Sequence, residues 1–177
     1  YKKREERISQ LRQSAIEEVL AHGGISEVFR LADSGQAQHT AGWYLSKIIT
    51  DLAPLKAALL EVVGGEAVSD GKASFIGGAL AEAASRKLGL LAPLTVDQSD
   101  QVMLSILLVA PFEQSTWDVV KTLSDDLQLR YWQGIAPGWN RTGDDVRYAV
   151  KKLGEAGRPR AAFNFAHFDL KELRVRD

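Results

Sequence analysis

Apolar residues recur along the chain every three or four positions, which is the pattern of amphipathic helices that each bury one face. The clearest apolar stripe runs through residues 5–22. The glycine pair at 23–24 predicts the end of that helix, because glycine tolerates the left-handed backbone that commonly follows a last helical turn. A separate short helix is predicted over 25–32.

The same spacing predicts helices along the rest of the chain, and no stretch alternates as strands joined by hairpin turns do. Residues 90–94 are predicted to be an apolar connector. The chain is therefore expected to be all-α, with about ten short helices stacked as antiparallel pairs in an α-solenoid-like array. A single irregular helical bundle is the alternative. The further predicted helices cover 36–50, 55–63, 73–88, 96–110, 116–124, 126–135, 145–155 and 160–168.

Two local features refine these helices. Glycine and alanine dominate 77–84, which predicts that this helix packs closely against a neighbour. Three hydroxyl residues, each followed by Gln or Asp three positions later, are predicted to cap helix starts by accepting a backbone N–H. They are Thr95, Ser115 and Thr142.

Three segments can be laid over one another as a weak internal repeat: 28–35, 119–126 and 149–156. Each ends in a small or acidic stop and precedes a helix with aromatic residues. The run 153–163 resembles a tetratricopeptide-type helix turn, and the irregular spacing of the copies is more similar to HEAT-type repeats. The run 116–163 also resembles helical-repeat regions of very large bacterial proteins of unassigned role. That resemblance implies stacked helical hairpins and no reaction.

Length and composition limit the class of protein. The 177 residues suit one all-helical domain over 1–177, and 45% hydrophobic residues suffice for a core. The start without Met, in a charged helical pattern, predicts a fragment excised from a larger protein. A net charge of −1 provides no overall attraction to nucleic acid or membrane. The longest apolar run, 102–110, is about half of what a membrane span needs. The absence of cysteine excludes disulfides and is compatible with a reducing cytosol, and we expect a cytoplasmic protein.

The segment 65–73 superficially resembles a phosphate-binding loop. That motif needs a glycine separated by four residues from its Gly-Lys pair and a hydroxyl residue directly after the pair. Here Glu66 stands in place of the first glycine and Ala73 in place of the hydroxyl residue. We therefore predict that Gly71 and Lys72 belong to an ordinary turn.

No residue pattern predicts catalysis, a metal or a cofactor. The histidines lack partners at metal-ligand spacing, and the paired acids suit first helical turns, where the helix dipole stabilises negative charge. The chain is therefore predicted not to be an enzyme, the alternative being a site assembled from distant His, Asp and Glu residues. The histidines are His22, His39 and His167, and the acids are Asp97, Asp100, Asp125, Asp126, Asp144 and Asp145.

One candidate binding surface remains, formed by basic residues around the last predicted interhelix turn and a tryptophan in an earlier turn. A loop tryptophan can anchor an interface. We predict a non-catalytic helical-repeat scaffold that binds a protein partner or a neighbouring domain of the same chain. A helical-repeat nucleic-acid binder, with Trp139, Tyr148 and Phe163 stacking on bases, is the alternative. The candidate residues are Trp139, Arg158, Arg160, Lys151 and Lys152.

Overall fold

The helices follow the predicted periodicity. The computed structural model describes residues 2–64, 68–138 and 143–167. These ranges contain ten α-helices and no strand, which confirms the prediction of an all-α protein. Stacking as a solenoid stays a prediction, as does the internal repeat. The helices are α1 (Lys2–Ser34), α2 (Gln38–Ile48), α3 (Leu52–Val63), α4 (Asp70–Ser85), α5 (Leu91–Thr95), α6 (Asp100–Val109), α7 (Gln114–Val120), α8 (Asp125–Gly134), α9 (Gly143–Glu155) and α10 (Pro159–His167).

The chain divides into two compact units, Tyr1–Ala110 and Pro111–Asp177. Helices α1 to α6 form the first unit, and α7 to α10 form the second. The prediction of one domain over residues 1–177 stays a prediction.

A glycine interrupts the long first helix. Gly24 has φ 67° and ψ −169°, a conformation that non-glycine residues avoid. Beyond it, Ile25 and Val28 are buried, whereas the segment before it is mostly exposed. The Tyr44 hydroxyl donates a hydrogen bond of 3.0 Å to Ser9 Oγ and ties that earlier segment to α2. The predicted break at the glycine pair is confirmed.

Helices α2 and α4 touch through their backbones. A Cβ atom at Gly42 would lie 2.8 Å from the carbonyl carbon of Phe75, and one at Gly78 would lie 3.0 Å from the backbone nitrogen of Trp43. Neither position has room for a side chain, which confirms the predicted close packing of the small-residue helix. Around this contact lies the core of the first unit, with Leu45, Leu55, Leu59, Phe75, Ile76, Leu94 and Ile106 among its fully buried side chains.

The residues that resembled a phosphate-binding loop have structural roles. Gly71 and Lys72 lie in the first turn of α4, so the predicted turn ends earlier than expected. Ser69 caps this helix by accepting the backbone N–H of Lys72 at 3.4 Å. The Lys72 ammonium donates to the Val63 carbonyl at 3.2 Å, at the carboxyl end of α3. A cation there interacts favourably with the helix dipole.

A second cation serves the carboxyl end of α2. The Arg86 guanidinium donates to the carbonyl and hydroxyl of Ser46, and its Nη1 lies 3.5 Å from the Thr50 carbonyl. Its Nε is 3.4 Å from Oε1 of Glu82, a nearly buried acid. This network joins the end of α4 to the end of α2.

An aromatic cluster forms the core of the second unit. The Phe112 ring packs edge-on against Trp117 at 5.0 Å and against Phe165 at 5.2 Å between ring centroids. Trp117 and Trp132 are 1% and 2% exposed, with centroids 5.9 Å apart. Half-buried Tyr148 brings α9 into this cluster, 5.4 Å from Trp117.

Two predicted caps are wrong. Ser99, not Thr95, caps α6 by accepting the Val102 N–H at 3.4 Å. Residues 91–95 form the short helix α5 where a connector was predicted, and the Thr95 hydroxyl instead donates to the Leu91 and Ala92 carbonyls of that helix.

The second wrong cap is at α7. This helix begins one residue before Ser115, whose hydroxyl donates to the Glu113 carboxylate at 2.6 Å. Glu113 occupies the N-cap position without a side-chain capping bond. The third predicted cap, Thr142, lies outside the described residues.

Candidate functional site

Four of the five candidate residues lie on a helical hairpin at the end of the second unit. Helices α9 and α10 pack against each other and are joined by a turn at 156–158, where Gly157 has φ 75°. Lys151 and Lys152 lie near the end of α9, Arg158 in the turn and Arg160 at the start of α10. Trp139 lies outside the described residues. The structure thus brings the predicted basic residues to one element.

Arg158 forms hydrogen bonds within the second unit and not with solvent alone. Its Nη1 donates hydrogen bonds of 2.7 Å to the Ile135 carbonyl and 3.0 Å to the Trp132 carbonyl. Both acceptors lie at the carboxyl end of α8, where backbone carbonyls lack helical partners. The half-buried Arg158 guanidinium therefore caps α8 and holds the hairpin against it.

The two lysines share one carboxylate. Lys152 Nζ is 2.9 Å from Glu155 Oε2, and Lys151 Nζ is 3.8 Å from Glu155 Oε1. The hydrogen bond from Lys152 lowers the pKa of Glu155, and the same bond raises the pKa of Lys152. Because these groups are largely exposed, solvent screens the ion pairs, and they contribute little to stability.

Five residues on the exposed faces of these two helices are grouped under one name, the outer surface of the hairpin. It consists of Arg147, Lys151 and Gly154 on α9 and Arg160 and Phe163 on α10, all exposed. Phe163 is 64% exposed, the highest value among the large hydrophobic side chains that the structure describes. A Cβ atom at Gly154 would meet nothing within 4 Å, so this part of the surface is open.

A shallow cleft lies between α8 and the end of α9. It encloses about 160 Å³ and has a mixed lining of apolar and oppositely charged side chains. Its only lysine is engaged by Glu155, and its indole wall is almost completely buried. The cleft therefore offers little free positive charge to a ligand. Its lining residues are Asp125, Gln128, Leu129, Trp132, Lys152, Glu155 and Ala156.

Three polar atoms are buried within the aromatic cluster. The indole N–H groups of Trp117 and Trp132 and the Tyr131 hydroxyl form no hydrogen bond of good geometry with the described residues. Burial raises the pKa of Tyr131, and the neighbouring Trp117 indole acts in the opposite direction. None of the three atoms has exposed surface from which to contact a ligand in the cleft.

The residues considered for chemistry lie apart or serve helix ends. No group of three His, Asp or Glu side chains within the described ranges could hold a metal ion. His22 Nδ1 lies 2.8 Å from the Glu18 carbonyl of its own helix. Asp100 lies in the first turn of α6, and Asp125 and Asp126 lie in that of α8, as predicted for dipole-stabilised acids.

None of the helices in the described ranges has the length and apolar character needed to cross a membrane.

From the sequence, Arg158 and Arg160 are both predicted to bind a partner, and Phe163 is predicted only as a base-stacking residue of the alternative function. One available signal was the helical period of the last segment, because Ala162 and Phe165 define its buried face and position 163 falls opposite. The capping role of Arg158 had no comparable signal, since its acceptors lie more than twenty residues earlier.

Comparison of the chain with family models, with curated proteins and with solved structures gives no match. The resemblance to helical-repeat proteins therefore stays a prediction, and the functional assignment depends on the geometry of the hairpin.

Proposed function

We propose that this chain is a non-catalytic helical-repeat scaffold within a larger protein, and that it binds a protein partner or a neighbouring domain through the outer surface of the hairpin. The observation that carries the proposal is the exposure of Phe163, at 64%. Helices α9 and α10 separate apolar and polar faces more strongly than the other helices of more than seven residues do. A phenylalanine on the polar face of such a helix is a candidate anchor for an interface.

The surroundings of Phe163 support an interface. Aromatic and arginine side chains are the residues that most often dominate binding energy at protein interfaces. Arg160 precedes Phe163 by one helical turn, so the two side chains share one face of α10. The His167 ring lies 5.9 Å from the Phe163 ring and extends that face.

Site-specific photo-cross-linking tests the proposal in the full-length protein in its natural host. A benzophenone amino acid replaces Phe163 in one variant and Leu11 in a matched control, because Leu11 is 62% exposed on α1. We expect a discrete cross-linked product from position 163 after irradiation, and mass spectrometry then identifies a second protein or another segment of the same chain.

The control position decides the interpretation. A product at 163 that is absent at 11 supports a specific interface, since the two side chains are almost equally accessible. No product at 163, or the same products at both positions, would contradict the proposal.

A further inference from the structure

The hairpin carries positive charge in a chain that is otherwise acidic. Residues 143–167 contain five basic and three acidic residues, although the whole chain has a net charge of −1. The basic residues are Arg147, Lys151, Lys152, Arg158 and Arg160, and the acidic ones are Asp144, Asp145 and Glu155. A partner that meets this element meets a positive surface.

These cations differ in their availability. Arg158 is committed to the carbonyls of α8, and Lys152 is committed to Glu155. Lys151 is 73% exposed and only distantly paired, at 3.8 Å. Arg147 and Arg160 form no ion pair with a described residue. The available charge therefore belongs to the outer surface of the hairpin.

The spacing of these residues places them on the exposed faces of the two packed helices. Arg147, Lys151 and Gly154 follow one another at intervals of four and three residues along α9. Arg160 and Phe163 are three residues apart on α10 and so share one face of that helix. Both sets lie opposite the positions that each helix buries. The outer surface therefore combines an aromatic ring, an open glycine and two guanidinium groups that form no ion pair with a described residue.

We propose that the outer surface of the hairpin binds an acidic peptide segment that carries an apolar residue. This inference rests on the proposed function, of which it specifies the chemistry of the partner. Guanidinium groups pair with carboxylates through two parallel hydrogen bonds, so Arg147 and Arg160 select Asp or Glu side chains. Phe163 covers the apolar residue, and Gly154 leaves room for the segment to approach α9.

Charge distribution favours an acidic peptide over a nucleic acid. Binding to a phosphate backbone requires several cations in succession, because affinity comes mainly from the number of phosphates neutralised. Here Glu155 interrupts the basic residues, and Arg158 and Lys152 are already engaged. Arg147, Arg160 and Lys151 suffice for a few carboxylates on a short segment.

Fluorescence anisotropy at low salt tests this inference with three labelled probes. These are an oligoglutamate peptide with one central leucine, an oligolysine peptide with the same leucine, and a single-stranded oligothymidine. We expect the oligoglutamate probe to bind most tightly and to dissociate as salt rises, because salt screens exposed charges. The double substitution Arg147→Glu/Arg160→Glu removes two ion pairs and should weaken oligoglutamate binding by about tenfold or more. Phe163→Ala should weaken this binding several-fold.

Arg12→Glu is the matched control, because Arg12 is also an exposed helical arginine without an ion pair among the described residues. It should leave oligoglutamate binding unchanged. Equal weakening by Arg12→Glu, or tighter binding of the oligothymidine probe, would overturn the inference. Absence of oligoglutamate binding would also overturn it, and a persistent cross-link at position 163 would then show that the proposed function survives with a partner of different chemistry.

Discussion

Replacement of Arg158 by alanine removes the side chain that ties the last hairpin to α8. Both hydrogen bonds from Nη1, at 2.7 and 3.0 Å, are lost together. Water is then the remaining hydrogen-bond donor for the Ile135 and Trp132 carbonyls, and its access is limited because Ile135 is 2% exposed. We expect the second unit to be destabilised without a change in its helix content.

The magnitude follows from the character of the two bonds. A hydrogen bond to a charged group contributes about 1.5–3 kcal/mol, and a cation at a helix carboxyl end adds about 0.3–1 kcal/mol. Because Arg158 is only half-buried and one nitrogen serves both acceptors, we take about 2 kcal/mol for the pair. For a unit of this size, such a loss lowers the melting temperature by about 8–16 °C.

Urea unfolding followed by tryptophan fluorescence measures this loss, because Trp117 and Trp132 are buried in the second unit. Arg160→Ala is the matched control, since Arg160 is exposed two residues away, and its free energy of unfolding should change by less than about 0.5 kcal/mol. Arg158→Lys should fall between the two variants, because a single ammonium is a poorer match for two carbonyls. If Arg158→Ala and Arg160→Ala unfold at the same urea concentration, the capping role is refuted.

Three further predictions concern packing and pH. Gly78→Ala should destabilise the first unit by about 1–3 kcal/mol through backbone overlap, whereas Gly154→Ala, in open space, should stabilise its helix by up to about 1 kcal/mol; thermal unfolding of both variants checks this. Burial raises the pKa of Tyr131, so the protonated hydroxyl contributes fully to the free energy of unfolding below the ordinary pKa of 10.0, and this contribution is lost as pH rises further. In urea titrations, Tyr131→Phe should therefore reduce the loss of stability between pH 9 and about pH 11. The hydrogen bond from Lys121 lowers the pKa of Asp118, so the ionised carboxylate stabilises the fold at pH values above its ordinary pKa of 3.8. This stabilisation is lost as pH falls through the lower folded-state pKa, and Asp118→Asn should flatten this part of an acid-unfolding curve.

The helices were predictable because their signal is local. The glycine pair located the break at Gly24, and the run of small residues predicted the close contact made by helix α4. The start of α6 was harder to predict, because Thr95 and Ser99 are both hydroxyl residues that suit an N-cap. Which of them caps α6 depends on whether residues 91–95 form a helix, and a short apolar run does not indicate that by itself.

The candidate site was predictable only as a region. Arg158 and Arg160 are separated by one residue and have the same chemistry, yet one caps α8 and the other faces solvent. The distinction depends on where the carboxyl end of α8 lies in space, which local patterns do not contain. Phe163 could have been assigned to the exposed face from the helical period, but that period does not indicate whether an exposed ring contacts a partner.

The most direct test of the binding surface is the photo-cross-linking yield at position 163 relative to position 11 in the full-length protein. The proposed interface predicts a discrete product at 163, with no counterpart at the equally exposed position 11. Charge reversal at Arg147 and Arg160 should then reduce that product if the partner segment is acidic. Equal yields and equal products at 163 and 11 would contradict a specific interface on the last hairpin.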